Sequence, residues 1–137
     1  MQPAGERAKI IFMEMNVLDQ ESVLAPYDAY AQIFKVLNHP ARLAILDILR
    51  DGEHCVCHME AHLGYRQAYI SQQLMVLREA GLIQDRRDGW NVFYRAAEPR
   101  VFAVLDAVQQ MFPSKPSLLA RRGVSCSCPK CSAGEAR

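Results

Sequence analysis

The apolar positions between Arg66 and Ile83 set the frame for the whole chain. In Arg-Gln-Ala-Tyr-Ile-Ser-Gln-Gln-Leu-Met-Val-Leu-Arg-Glu-Ala-Gly-Leu-Ile, residues Ile70, Leu74 and Leu77 recur at i, i+4, i+7, and Gly81 stands where a helix stop is expected. The spacing predicts a helix of about four turns. Wound at roughly 100° per residue, it turns Ala68, Ser71 and Gln72 away from the apolar stripe and leaves Gln67 and Tyr69 on the flanks. That outer face is polar and almost uncharged. Its amides and hydroxyls match base edges, and Ala68 is small enough to let a helix sit deep in a major groove. The face therefore reads as a recognition helix, although an ordinary amphipathic surface helix shows the same stripe.

The flanking patterns favour the first reading. Leu24, Tyr27, Ala31, Phe34 and Leu37 predict a helix over 22–37, with Pro26 in its first turn. Asn38 is the expected N-cap of the next helix, with Pro40 just inside it and Leu43, Leu46 and Leu49 on its apolar side. A shorter helix follows Gly52 and ends at Gly64, immediately before the recognition stretch. Two short helices joined by a Gly-containing turn make a helix-turn-helix. Ile83 to Arg87, a turn at Asp88-Gly89, and Trp90 to Ala96 predict a β-hairpin wing. Arg86, Arg87 and Arg95 line that hairpin where phosphates or a minor groove would lie, though surface arginines on a solvated hairpin fit equally. A last helix opens at Pro99 and carries Val101, Leu105, Val108, Met111 and Phe112, enough apolar surface for a dimer seam. The expected fold is mainly α with a β-hairpin wing (α+β), a winged helix-turn-helix that dimerises through its terminal helices. Three regions follow: an extension over 1–21, the DNA-binding and dimerisation domain over 22–112, and a flexible cysteine-rich tail over 113–137.

Composition adds compartment and chemistry. The chain has 137 residues, half of them apolar, which suffices for one core without staples. No apolar run approaches the roughly 18–20 residues of a membrane span, and no secretory leader is evident, so the expected location is the cytoplasm. A net charge of +1 neither announces nor excludes a nucleic-acid partner. The five cysteines fall into two tight groups, Cys55 with Cys57, and Cys126 with Cys128 and Cys131. In a reducing compartment such clusters suit metal ligation or redox chemistry better than structural bridges.

The wording of the middle of the chain resembles a known family. Phe34-Lys35-Val36-Leu37, Pro40-x-Arg42-Leu43-x-Ile45-Leu46, Cys55-Val56-Cys57, Gln67-x-x-Ile70-Ser71-x-x-Leu74-x-x-Leu77-Arg78-x-Ala80-Gly81-Leu82 and Arg87-x-Gly89-x-x-x-x-Tyr94 are similar to the ArsR/SmtB bacterial winged-helix repressors. The match spans about residues 30 to 98. It implies a homodimer that represses an operon for metal or metalloid resistance, sits on an inverted-repeat operator, and leaves that DNA when its inducer binds. Gln72 and Gln73 stand where the family often has a cation and a His, so the operator that is read differs. The expected DNA contacts are Arg66, Gln67, Ala68, Tyr69, Ser71, Gln72, Arg86 and Arg87.

Cys55-Val56-Cys57 corresponds to the family's thiolate site on the helix before the recognition helix. Residues i and i+2 of a regular helix point about 200° apart, so both thiolates reach one ion only if the helix start is distorted. Thiols at a helix N-terminus are also expected to have a lowered pKa. Cys126, Cys128 and Cys131 can converge on a soft ion, trigonal sulfur suiting arsenite or antimonite and four sulfurs suiting cadmium, lead or zinc. The roughly 14 residues from Phe112 to Cys126 span about 45 Å when extended, enough to carry the tail onto Cys55 and Cys57 of its own or the partner subunit. The expected site is thus shared, with As(III) or Sb(III) favoured over Cd(II) or Pb(II). An independent metal knot in the tail is the alternative. His54, His58 and His62 share one helical face and are read as solvated or near phosphates, not as ligands. The last helix offers Asp106 but no His, which disfavours a zinc or nickel site there. A thiol redox switch and a metal-sequestering protein are the competing functions. No catalytic constellation stands out, so neither an enzyme nor a small-molecule substrate is expected.

Overall fold

The computed structural model describes residues 23–114 together with Cys126 and Cys128. The extension over 1–21 and Cys131 lie outside the described residues. The chain divides into two units, Met1–Lys35 and Val36–Arg137.

Helix α1 occupies 23–37 and contributes most of its length to the first unit. Leu24, Tyr27 and Phe34, three of the five residues of its expected apolar stripe, are 50–59% exposed. The Tyr27 and Tyr30 rings meet edge to face at 5.7 Å.

The second unit begins its regular structure with α2 (Pro40–Ile48), continued by a 3-10 turn over Leu49–Asp51. His39, not Asn38, caps α2: its Nδ1 accepts the Ala41 N–H at 3.3 Å. Pro40 dictates this, because a proline at the first helical position places the cap on the residue just before it. Strand β1 (His54–Cys55), α3 (Val56–Leu63), α4 (Gln67–Glu79), β2 (Ile83–Asp88), β3 (Asn91–Ala96) and α5 (Val101–Gln109) complete it. Gly64 ends α3 at φ +75°, a left-handed cap that reverses the chain into α4.

The predicted stripe of α4 is the centre of the core. Ile70, Leu74 and Leu77 are completely buried with Ile45 and Leu46 of α2 and Met59 of α3. Arg50 joins α2 to α5 through Asp47 at 2.5 Å and Asp106 at 2.8 Å, with its guanidinium 5.1 Å from the Phe102 ring.

Two local expectations need correction. The hairpin turn is Gly89-Trp90, one residue later than the Asp-Gly pair, because Asp88 still pairs with Asn91. Gly89 at φ +60°, followed by a residue without positive φ, has the φ pattern of a type II′ turn, which wants glycine first. The wing is also a three-stranded antiparallel sheet in the order β1-β3-β2, since His54 and Cys55 pair with Tyr94 and Phe93.

Candidate functional site

Cys55 is the residue that departs most from the sequence expectation. It belongs to β1, not to the helix, and serves as the N-cap of α3 with extended backbone (φ −86°, ψ 166°). This is the distortion that a Cys-x-Cys pair needs in order to converge. Cys57, in the first turn of α3, brings its Sγ to 2.7 Å from that of Cys55. Cys126 reaches the same point from the tail, its Sγ 2.9 Å from Cys57 and 3.9 Å from Cys55.

The three sulfurs all lie within 4.8 Å of one another and come from a single chain. Metal–sulfur bonds of about 2.3 Å place the sulfurs of a shared ion roughly 3.5–4 Å apart. The Cys55–Cys126 separation already matches, and the two shorter separations to Cys57 must widen for this soft group to hold one thiophilic ion. Cys126 and Cys128 are 6% and 5% exposed and form an apolar cluster with Cys55 and Phe93. The Cys128 N–H donates to Cys126 Sγ at 3.4 Å. Cys128 therefore lines the site and orients Cys126, while Cys131 lies outside the described residues.

The helix terminus does not lower the Cys57 pKa as anticipated. Burial pushes this thiol upward, and hydrogen bonds to Cys126 and Cys55 add to the shift. In a pocket of three sulfurs, removal from water outweighs the partial charge of a two-turn helix.

His54, His58 and His62 line one face of β1 and α3 as a column of rings, with centroids 4.1 and 4.2 Å apart. All three are half-buried, so the solvated-stripe reading is too simple. Burial first, then the two neighbouring imidazoles, lowers the His58 pKa to about 4.

The outer face of α4 is open to solvent. Arg66, Gln67, Ala68 and Gln72 are exposed, and Tyr69 and Ser71 are partly so. Tyr69 is positioned from outside its helix, with its hydroxyl 3.2 Å from His39 Nε2 and its ring 4.8 Å from that of Tyr65. Because His39 Nδ1 accepts from Ala41, the neutral ring carries its proton on Nε2 and donates it to the Tyr69 oxygen. The tyrosine keeps its own O–H for another acceptor.

The two wing arginines differ. Arg86 forms a two-pronged pair with Glu53, at 2.5 and 3.2 Å, and lies 5.2 Å above the Phe93 ring. Arg87 is exposed and has no ion-pair partner among the described residues. Sequence reasoning missed Glu53, Phe93 and His39, whose roles arise only from partners 33, 38 and 30 residues distant.

Comparison with known proteins places these features in context. Residues 39–85 match the family described as bacterial regulatory protein, arsR family. The Biofilm growth-associated repressor of Agrobacterium fabrum is 44% identical over 82 residues, covering 60% of this chain and 70% of that protein. The crystal structure of the transcriptional repressor BigR from Xylella fastidiosa superposes with a TM-score of 0.62 at 33% identity, over 70% of this chain and 98% of the other. The solution structure of the homodimeric winged helix-turn-helix DNA-binding domain Mb0332 from Mycobacterium bovis gives 0.58 at 31% identity, over 70% and 90%.

Proposed function

The chain belongs to the arsR family of bacterial regulatory proteins and is a transcriptional repressor, and we propose that it leaves its operator when a thiophilic ion binds Cys55, Cys57 and Cys126. Its relatives and fold are those of DNA-binding regulators, not of an enzyme. The observation that carries the proposal is the meeting of two sulfurs from the start of α3 with one from the tail. A three-sulfur set without a nitrogen or oxygen ligand favours pyramidal As(III) or Sb(III), with Pb(II) and Cd(II) as the other candidates. Cys128 and Cys131 are the tail's reserve ligands for an ion that demands a fourth sulfur.

The working form is a homodimer. Helix α1 exposes Leu24, Tyr27 and Phe34, and the end of α5 exposes Val108, Met111 and Phe112, so each helix has apolar surface for a second copy. Two copies would set their α4 helices into successive major grooves of an inverted repeat, half-sites about 34 Å apart. Arg66, Gln67, Ala68, Tyr69, Ser71 and Gln72 read bases and phosphates there, and Arg87 reaches the backbone from the wing. No helix among the described residues is long and apolar enough to cross a membrane, which fits a cytoplasmic regulator.

The register of the sheet supplies the route from ion to DNA. Cys55 pairs with Phe93 on β3, Phe93 pairs with Arg86 on β2, and Arg86 is held by Glu53 two residues before Cys55. An ion that fixes the Cys55–Cys57 spacing thereby biases the wing as well as α3, which packs against α4. For release, the ion must bind the DNA-free arrangement more tightly than the DNA-bound one. A coupling of about 1–3 kcal/mol corresponds to a change of roughly 5- to 150-fold in DNA affinity.

The test is the anisotropy of fluorescein-labelled duplexes tiling the DNA upstream of the protein's own gene, with reduced protein. Binding that is lost on adding arsenite or antimonite, and restored by a competing dithiol, is the expected result. Loss with peroxide alone would replace it with the redox reading, which the close thiols also support: two thiols lose two electrons to the peroxide and two protons, forming a disulfide.

A further inference from the structure

Trp90 is the chain's one tryptophan, and it is 102% exposed at the apex of the wing. The turn does not require it. Gly89 supplies the positive φ, and the second position of such a turn is commonly a small polar residue. Among the described residues the indole has no ring or cation contact. A side chain able to bury about 150–250 Å² is thus left whole in water, at the point of the domain farthest along the hairpin from the core.

The charge around it indicates what it meets. Arg86 is neutralised by Glu53 and Asp88, so the wing's reach toward phosphates falls to Arg87 and to Arg95, which is exposed and donates to Gln84 at 3.0 Å. Arg87 lies two residues before the turn, opposite Val92, and Arg95 sits near the root of β3, opposite Gln84, so outward cations follow the hairpin below an apolar tip. That order fits a nucleic-acid groove, where cations meet the phosphate walls and the ring meets sugars and base edges. The indole N–H is a donor only. The minor groove of A·T pairs presents only acceptors there, whereas G·C pairs add an amino group that a donor cannot use and that projects from the floor.

We propose that Trp90 enters the DNA minor groove beside each half-site and favours A·T pairs there. The inference rests on the DNA-binding reading of α4 and adds to it a contact that is mostly independent of salt. Phosphate contacts make affinity fall with ionic strength, whereas an indole packed on sugars releases no counterions.

The experiment follows the labelled upstream duplexes by anisotropy and Trp90 by its own emission in one titration, using the full reduced chain. Expected are water-exposed emission in free protein, and a blue shift with lowered acrylamide quenching on the duplex. Trp90→Ala should weaken binding about tenfold at every salt concentration with an unchanged salt slope, and Trp90→Phe should recover part of it. Replacing guanine with inosine in the flanking pairs removes the minor-groove amino group and should bring G·C flanks up to A·T affinity. Thermal melting of Trp90→Ala should match the parent, since the ring touches no core. Rising anisotropy with the indole still open to quencher would overturn the contact and leave the repressor reading intact. Flat anisotropy on every duplex would overturn both, and blue-shifted emission before DNA is added would reassign Trp90 to contact between copies.

Discussion

The proton balance of ion loading separates the candidate inducers and counts the sulfurs at once. The perturbation is pH. At neutral pH the Cys57 thiol keeps its proton, because burial beside Cys55 and Cys126 pushes its pKa upward. Cadmium taken up by three thiols must release three protons, Cd²⁺ + 3 RSH → Cd(SR)₃⁻ + 3 H⁺. Arsenite needs none released, As(OH)₃ + 3 RSH → As(SR)₃ + 3 H₂O, because its hydroxides leave as water. Each proton released makes apparent affinity rise tenfold per pH unit, so the three-proton balance written above gives about a thousandfold per unit for cadmium and almost no change for arsenite. Thiolate–metal absorbance across the range from about pH 6 to 7, with calorimetry in two buffers of different ionisation heat, measures both quantities. A cadmium slope of one or less would mean that a single sulfur is engaged, and a steep arsenite slope would mean that the hydroxides are retained. Either result would refute the three-sulfur site.

Three further outcomes are expected. Glu53→Gln releases Arg86 from its carboxylate partner, so DNA affinity should increase and the slope of log affinity against log salt should steepen by about 0.9; an unchanged slope would show that Arg86 never reaches a phosphate. His58 titrates near 4 when folded and near 6.5 when unfolded, so the unfolded chain binds more protons between those values. Its contribution is complete above pH 6.5 and is lost as pH falls toward 4, and thermal melts over that window should show a decline that is reduced in His58→Gln. Leu74→Ala opens a cavity at a completely buried position of α4 and should cost about 2–5 kcal/mol in urea unfolding; a loss well under 1 kcal/mol would mean that the stripe is not the core.

Local and distant information divide cleanly in this chain. The stripe Ile70, Leu74, Leu77 and the stop at Gly81 are local, and α4 forms where that periodicity predicts. The same holds for α3 ending at Gly64. Cys55 was opaque because its conformation depends on pairing with Phe93, a contact that no local pattern encodes. Arg86 looked like Arg87 in sequence, and only Glu53 across the sheet distinguishes them. The turn slipped by one residue because type II′ geometry places the glycine first, whereas Asp-Gly suggested it second. The reach of the tail allowed Cys126 to meet Cys55 and Cys57, but the apolar seat made by Phe93 and Cys128 was visible only in three dimensions. Exposed Leu24, Tyr27 and Phe34 show the remaining limit, since a face prepared for a second copy has the same periodicity as one buried within its own chain.

X-ray absorption at the arsenic edge of the arsenite-loaded full chain tests the central claim most directly. The account predicts arsenic with three sulfur neighbours and no oxygen, changing to two sulfurs and one oxygen in Cys126→Ser with a matching loss of arsenite-driven DNA release. Two sulfurs and an oxygen in the parent protein, with release unaffected by Cys126→Ser, would contradict it.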